Sequence, residues 1–319
     1  MQDLKDRLRP GRERPDGAQA HELPPVPLRH PGRWLVVAVM MLLVFMIGKG
    51  FITNPNMHWD VVRQYIFDAS IMHGLVITLE LTVVSMVLAI AVGIAIALMR
   101  LSPNPVLSRF SAAYIWFVRG TPVIVQLLFW YFLAALFPTL SLGIPFGQVF
   151  VTWDTNALIG QFTAAVLGLG IAESAYIAEI VRGGIMSVDG GQNEAAQSLG
   201  MSRIRLMRWV VLPQAMRAII PPVGNAVIGM TKMTAVVLII GVPDLLTSVQ
   251  LVYARNFLQI PLLTVACAWY LLLVSILTVA QFYVERHFGR GVRQMYGRQP
   301  KVKRKRPATA PKDAEVKLV

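Results

Sequence analysis

The chain has a single cysteine and very little charge in its interior. Cys267 cannot form an internal disulfide bond, and a lone thiolate does not make a metal cluster. The formal net charge of +13 comes from residues near the two ends and in a few connections, while long interior stretches are apolar. Because a bilayer-crossing helix needs about 20 apolar residues, we predict an integral membrane protein.

The chain also lacks the residues of an ATPase or hydrolase site. No G-x4-G-K-[ST] pattern occurs, and the Gly48-Lys49 pair lacks the upstream glycine that a phosphate-binding loop requires. No set of nucleophile and base and no cluster of metal ligands is evident. We therefore predict that the chain is not an enzyme.

The two ends are polar and basic. Residues 1–33 are too long and too polar for a signal peptide, and we predict a disordered, proline-rich segment; its LPPVPLRHP run has the alternative reading of a polyproline ligand. Residues 289–319 include KVKRKR. A basic tail beside a membrane span binds anionic lipid headgroups more simply than it binds nucleic acid, so we expect a lipid-facing tail and no nucleic-acid partner.

Six apolar blocks predict an all-α membrane protein with about six transmembrane helices. Lys and Arg crowd the two ends, the connection after the second block and the connection after the fourth, whereas the other connections are nearly bare. Because cytoplasmic connections carry an excess of Lys and Arg, this alternation predicts that both termini are cytoplasmic. The blocks cover about residues 34–48, 75–99, 121–137, 158–181, 218–242 and 262–284.

The third block is short for a span. Thr121 as N-cap and Pro122 at the first helical position predict a helix start, from which Phe137 is only about 24 Å away. We expect the preceding SRFSAAYIWFV to lie along the cytoplasmic interface or to enter at an angle, which places Arg119 near the membrane boundary.

A polar loop, residues 190–213, lies between the fourth and fifth blocks. GGQNEAAQSLG predicts a helix of two to three turns that ends at Gly200, too short to be stable alone in water. Ala195 and Ala196 are expected to present a small face beside Leu199, where another protein can approach closely. A second helix, capped by Ser202, is expected to end at Leu212-Pro213.

At this point the chain resembles the ABC importer permeases. Glu194-Ala195-Ala196, three residues, Gly200, nine residues, Val210, one residue and Leu212-Pro213 match their EAA loop, E-A-A-x3-G-x9-I-x-L-P, with Val in place of Ile. Further stretches resemble the polar amino acid uptake branch of the family. These are Phe117 to Pro122, Gln126, Ala175-Tyr176, Glu179, Arg182-Gly183 and Gly241 to Pro243.

The resemblance covers residues 75–288, a five-helix permease core. It leaves an extra span at 34–50, an extracytoplasmic connection at 51–74 and the two ends as additions. It implies a permease subunit of the bacterial inner membrane that imports a polar amino acid or related compound by alternating access. The implied partners are an ABC ATPase that binds ATP and Mg²⁺, a second permease half, and a soluble or lipid-anchored substrate-binding protein. The EAA residues would form the coupling helix that binds the ATPase.

Charged residues inside the spans are candidates for the substrate path, because such groups are costly in a bilayer and usually face a cavity or a partner. Glu173, with Ser174 and Tyr176 beside it, is the first candidate for a substrate ammonium or guanidinium; the alternative is pairing with a cation on another helix. Lys232 is a candidate partner for Glu173 or Glu80, or for a substrate carboxylate.

A further group of candidates has a structural or gating role: Arg119, Thr121, Pro122, Glu179 and Arg182. Of these, Glu179 and Arg182 are spaced i,i+3 and are expected to pair with each other.

Two other functions remain open at this stage. An ion-coupled secondary transporter predicts an internal repeat and paired intramembrane acids, and we find no convincing repeat. A membrane scaffold or sensor anchor predicts no polar residues at mid-bilayer, in contrast to Glu173 and Lys232.

Overall fold

The computed structural model describes residues 31–144 and 147–288. The predicted disorder of residues 1–33 and the predicted basic tail lie outside the described residues, except that residues 31–33 form the first turn of a helix. The chain divides into two units at the junction of residues 57 and 58.

The first unit contains a long apolar helix, α1 (Pro31–Thr53), and a 3₁₀ turn, Pro55–Met57. The 23 residues of α1 extend about 34 Å, enough for a bilayer core of about 30 Å. Its apolar side chains are exposed on every side, as expected of a helix surrounded by lipid. The helix extends beyond both ends of the predicted span 34–50.

The described residues of the second unit, 58–144 and 147–288, are mostly helical. Two short antiparallel strands, β1 (Thr139–Gly143) and β2 (Val149–Asp154), form a hairpin within it. The helices, in chain order, are α2 (Trp59–Tyr65), α3 (Ala69–Arg100), α4 (Pro105–Gly120), α5 (Val123–Tyr131), α6 (Leu133–Leu136), α7 (Thr155–Leu158), α8 (Gln161–Met186), α9 (Gly190–Ser198), α10 (Arg203–Leu206), α11 (Leu212–Met233), α12 (Leu245–Asn256) and α13 (Gln259–Phe288).

The membrane count follows the prediction. In the described part of the chain five helical segments are long and apolar enough to cross a membrane: α1, α3, α8, the run Arg203–Ile240 and α13. The bent pair α4–α5 makes a sixth if it is one span. The predicted fold class, an all-α membrane protein with about six spans, is confirmed.

The centre of the second unit is the close packing of α3 against α8. A Cβ added to Gly93 would lie 2.7 Å from the side chain of Ile177, and one added to Gly170 would lie 2.8 Å from that of Leu88. Both glycines therefore allow the two helices to approach more closely than larger residues would permit. Around this contact lies the main apolar core, which also includes residues of α5 and α11.

The third predicted span is a corner: α4 and α5 meet at 100°. The bend is compatible with the expectation that the preceding segment lies along the cytoplasmic interface or enters at an angle, which stays a prediction. The predicted N-cap is wrong, because Pro122 occupies that position and the Thr121 hydroxyl donates backwards to the Phe117 carbonyl at 3.1 Å. Gln126 closes the corner instead, since its Nε2 donates to the Val118 carbonyl at 2.8 Å and to the Thr121 hydroxyl at 2.9 Å.

The hairpin follows α6 and was not predicted. Its base is held by Thr155, whose backbone N–H donates to the Pro138 carbonyl at 3.0 Å and whose hydroxyl donates to the Phe137 carbonyl at 2.5 Å. Asp154 then caps α7 by accepting from the Ala157 N–H at 2.9 Å. Because α8 connects this region to α9, the hairpin and the central loop lie at opposite ends of one spanning helix.

Helix α12 lies in the connection before the last span and was also not predicted. Asp244 caps it by accepting from the Thr247 N–H at 2.9 Å and the Thr247 hydroxyl at 2.7 Å. The Tyr270 hydroxyl donates to the other carboxylate oxygen at 3.3 Å, and Thr78 accepts from the Leu245 N–H at 3.0 Å. These bonds join α12 to α3 and α13.

Candidate functional site

The central loop begins with α9, which is defined by side-chain and backbone caps at its two ends. Asp189 is the N-cap and accepts from the Gly191 N–H at 2.8 Å. At the other end Gly200 has a φ of +73°, a conformation that glycine adopts without strain. Its N–H donates to the Gln197 carbonyl at 2.9 Å, and that of Met201 donates to the Ala196 carbonyl at 3.1 Å. This pair of bonds is a Schellman motif, so the predicted end of the helix at Gly200 is confirmed.

The two alanines of α9 do not share an outward face. Ala196 is buried against Leu206 and Val211, whereas Ala195 is exposed. The predicted small face made by both alanines is therefore wrong, because adjacent helical residues point about 100° apart. The exposed face combines Ala195 with Leu199, four residues later, and Leu199 is 83 % exposed.

The helix after α9 does not end at Leu212-Pro213. Ser202 occupies the predicted N-cap position of α10, without a side-chain bond, and five π-helical residues, Met207–Val211, then lead into α11. The Leu212 N–H donates to the Met207 carbonyl, five residues back, so the turn before Pro213 is widened. Because this widened turn shifts the bonding register and Pro213 lies in the first turn of α11, the proline is accommodated without a break.

Two further apolar side chains of this loop are exposed, and the sequence analysis did not single them out. Ile204 is 80 % exposed and Trp209 is 71 % exposed. Together with Leu199 they form a set of large apolar side chains on a polar loop, which is typical of a protein–protein contact. The sequence signal for this surface is the presence of an isoleucine and a tryptophan in a basic, otherwise polar stretch.

Glu173 lies on α8 in a closed environment. Its side chain is 9 % exposed, and it makes no ion pair or hydrogen bond with any residue in the described ranges. The adjacent Ser174 is fully buried and its hydroxyl is hydrogen-bonded: its Oγ lies 2.6 Å from the Tyr114 hydroxyl and 2.7 Å from the Ile171 carbonyl. Ser174 therefore joins α8 to α4 and presents no open surface in this conformation.

Tyr176 is the exposed member of this α8 group, and Arg119 covers it. The guanidinium carbon of Arg119 lies 4.9 Å from the centre of the Tyr176 ring, within the range of a cation–π contact. This contact brings the α4–α5 corner against α8, as the Tyr114–Ser174 bond does. Sequence spacing offers no signal for either contact, because both join separate elements.

The expected pairing of Glu179 with Arg182 is confirmed. Arg182 donates through Nη2 to the Glu179 carboxylate at 2.6 Å and through Nε at 3.1 Å. The same guanidinium contacts the Met186 sulfur at 2.9 Å. This pair is partly exposed at the end of α8 nearest to α9.

Lys232 lies near the end of α11, and the structure does not pair it with an acid. It is exposed and makes no ion pair with Glu173 or with Glu80, which is also exposed, within the residues that the structure describes. The predicted pairing is therefore wrong for this conformation. The basic side chain remains available to a substrate or to a partner chain.

Comparison with known proteins identifies the family. A family profile described as "Binding-protein-dependent transport system inner membrane component" matches residues 89–290. The arginine transport system permease ArgU of Corynebacterium glutamicum is 42 % identical over 279 residues, which cover 86 % of this chain and 85 % of that protein. The glutamine transport system permease GlnP of Escherichia coli is 31 % identical over 216 residues, 68 % of this chain and 91 % of the relative.

Solved structures agree with these relatives. A crystal structure of an amino acid ABC transporter with histidines matches with a TM-score of 0.59 and 35 % identity, covering 68 % of this chain and 94 % of that chain. The inward-facing MetNI methionine ABC transporter shares the fold, with a TM-score of 0.56 and 18 % identity over 74 % of this chain. The alternative of an ion-coupled secondary transporter finds no support among these matches. The chain belongs to the family of binding-protein-dependent transport system inner membrane components, the permease subunits of ABC importers.

Proposed function

We propose that this chain is the permease subunit of an ATP-driven, binding-protein-dependent importer of a polar amino acid or a related compound. The observation that carries the proposal is the central loop: a nine-residue helix, capped at both ends, that exposes Ala195 and, at its C-cap, Leu199. A helix this short is marginal alone. Its cap bonds and its buried Ala196 stabilise it, and the outward face is left for a partner.

The partner of α9 in this proposal is an ABC ATPase subunit. Ala195 and Leu199 form the contact face, with Glu194 beside them, while Gly200 fixes the length of the helix. Ala196, on the buried side of α9, packs against Leu206 and Val211 and so holds the helix on the loop. Leu212 and Pro213 belong to the helical run that carries the loop into the membrane, rather than to the contact itself.

Energy for transport comes from that ATPase in this proposal, since the sequence has no phosphate-binding loop of the G-x4-G-K-[ST] type. ATP and Mg²⁺ would bind only to the partner. Closure of two ATPase subunits would move two coupling helices together and rearrange two facing permease halves. The substrate path would then open alternately to each side, as in rigid-body alternating access.

The substrate path follows the α8 surface between the α4–α5 corner and the end of α11. Glu173 makes no ion pair or hydrogen bond with the described residues, so it is proposed as the group that recognises a cationic side chain. Lys232, which makes no ion pair within the same ranges, would receive a substrate carboxylate. Arg119 and Tyr176 cover this surface as one unit and are proposed as a gate, with the Glu179–Arg182 pair at its cytoplasmic end.

The topology in this proposal places both termini and α9 in the cytoplasm of a bacterium. A soluble or lipid-anchored binding protein would deliver the substrate on the other side. The name of the arginine-transporting relative and the acidic Glu173 both favour a basic amino acid, while the name of the glutamine-transporting relative keeps other polar amino acids as alternatives.

Uptake by the reconstituted complex tests the proposal. The chain would be assembled in proteoliposomes with its ATPase and binding protein, and uptake of labelled arginine, lysine, histidine, glutamine and glutamate would be measured with and without ATP. We expect ATP-dependent uptake of at least one of these, with a basic amino acid preferred. Accumulation of solute by the permease alone, without ATP, would overturn the assignment.

A further inference from the structure

The hairpin β1–β2 has one polar face and one apolar face over the four residue pairs nearest its base; after them the register shifts, and Gly143 pairs with Val149. Thr139 pairs with Asp154 and Ser141 pairs with Thr152 on the polar face, where the Ser141 and Thr152 hydroxyls lie 3.1 Å apart. Leu140 pairs with Trp153 and Leu142 pairs with Val151 on the other face. The side chains of the apolar face are nevertheless open, with Leu142 62 %, Val151 44 % and Trp153 43 % exposed.

An isolated two-stranded hairpin is marginally stable in water, and three or more strands or a packed helix are normally needed. No further strand pairs with it in the described part of the chain. Its apolar face should therefore be covered by something else, and the position of the hairpin indicates what this is.

The hairpin begins where the preceding helix is still too short to have crossed a bilayer. From Val123, the start of α5, to Leu136, the end of α6, the chain rises about 21 Å at 1.5 Å per residue. The hydrocarbon core is about 30 Å thick. If α5 starts near one boundary, Leu136 lies several Å inside the other, so the hairpin starts at the level of the acyl chains or of the headgroups.

The surface of the hairpin continues that of the helix below it. Phe132, Leu136 and Phe137 are 59 %, 65 % and 54 % exposed. From Thr139 to Asp154 the only charged residue is Asp154, which caps α7 on the polar side. Aromatic side chains without charge are what the headgroup level of a membrane accommodates, whereas transient protein contacts have polar rims.

We propose that the apolar face of the hairpin lies in the headgroup region of the lipid leaflet opposite to α9, as an anchor that completes the short third span. Because the outward backbone groups of both strands are unpaired in a two-stranded hairpin, its edges need the hydrated headgroup level and are excluded from the hydrocarbon core. The polar face, with Ser141 and Thr152, is directed to water. The ligand of this surface is a phospholipid interface rather than a protein.

A pair of neighbouring cysteines tests the two faces. In a Cys267→Ser background, Leu142→Cys and Ser141→Cys would each be labelled with an environment-sensitive fluorophore after the full complex is placed in phospholipid nanodiscs. Val151→Cys and Thr152→Cys repeat the comparison on β2, in case one substitution disturbs folding. Because each pair occupies nearly the same depth, only the face differs.

We expect the labels at positions 142 and 151 to emit at shorter wavelength and to be quenched more strongly by lipids spin-labelled near the headgroup than those at 141 and 152. Equal emission and equal quenching for both members of each pair would overturn the proposal. Shielding of position 142 from an aqueous quencher that arises only when the substrate-binding protein is added would also overturn it, and would assign the face to that protein.

Discussion

Glu173 provides a direct test at the scale of one residue. Glu173→Gln keeps the shape of the side chain and removes its charge. A hydrogen bond to a charged group contributes about 1.5–3 kcal/mol, so loss of this interaction should weaken recognition of a cationic substrate about tenfold or more. Recognition of a neutral analogue should change little. The measurement is the KM for arginine and for citrulline in proteoliposomes.

Glu80→Gln is the matched control for Glu173, since Glu80 also lies in a spanning helix and makes no ion pair in the described part of the chain, but is exposed. It should leave both KM values unchanged. If Glu173→Gln leaves the KM values and the substrate preference as they were, Glu173 has no part in the substrate path.

Gly200 gives a second residue-scale prediction. Its φ of +73° costs an L-residue about 1–2 kcal/mol, and nothing crowds the position, so the effect of Gly200→Ala is one of backbone strain. We expect weaker copurification of the ATPase and lower ATP-dependent uptake. Gly200→Asn should retain more activity than Gly200→Ala, because asparagine tolerates this conformation better.

Gly48→Ala serves as the control for Gly200, since Gly48 lies in a regular helix with open space around it. It should behave as the wild type does. Wild-type ATPase binding and uptake by Gly200→Ala would show that the end of α9 is not part of the coupling.

Contacts between residues were predictable from the sequence only where they are local. The spacing of Glu179 and Arg182 on one helix predicted their pairing, because the helical period places them on the same face. The Arg119–Tyr176 contact and the Tyr114–Ser174 bond join different elements, and their geometry depends on the corner angle. The expected pairing of Lys232 with an acid on another helix was wrong for the same reason, because contacts between separate elements do not follow from sequence spacing.

At the scale of an element, Gln126 determines the corner between α4 and α5. Gln126→Met fills a similar volume but leaves the Val118 carbonyl and the Thr121 hydroxyl without this donor. An unsatisfied buried polar group costs about 1–3 kcal/mol. We expect a lower unfolding midpoint in detergent, measured by intrinsic fluorescence during a denaturant titration.

Gln64→Met is the control for the corner, because Gln64 is exposed on α2. It should leave the midpoint unchanged. Equal midpoints for the wild type and Gln126→Met would mean that the 100° bend does not depend on this side chain.

Elements whose ends are marked by one residue type were predictable from the sequence. Elements that depend on how backbone groups pair, such as the π turn and the hairpin, were not. Gly200 marked the end of α9 because a left-handed residue is needed there. The π turn before Pro213 escaped prediction, since proline normally marks the end of a helix. The hairpin also escaped, although VFVTW after a Pro- and Gly-containing stretch has the β-branched and aromatic composition of a strand.

At the scale of the whole molecule, the orientation can be measured. In the Cys267→Ser background, Gln197→Cys on α9 and Thr152→Cys on the hairpin report on opposite ends of α8. We expect a membrane-impermeant maleimide to label position 152 in intact spheroplasts and position 197 only after lysis. Labelling of position 197 in intact spheroplasts would place α9 outside the cell and remove the proposed ATPase contact.

The number of spans followed from hydropathy alone, since the bilayer allows few ways to satisfy the backbone. Hydropathy did not predict how the chain bends between the two membrane boundaries. The third block counted as a span, yet it is a corner followed by a short helix. When a helix is too short to span the bilayer, the rest of its path depends on packing and on contact with lipid. Local sequence patterns do not show these contacts.

The helical run from Arg203 to Met233 has a mechanical consequence. At 1.5 Å per residue it is about 46 Å long, and it contains two weak points: the π turn at Met207–Val211 and the consecutive prolines Pro221 and Pro222 inside α11. Helices bend most easily at such positions, because backbone hydrogen bonds are lost or shifted there. A tilt applied at the exposed end beside α9 would therefore be taken up partly at these two points before it reaches Lys232, so the run would transmit motion as a jointed rod and not as a rigid one.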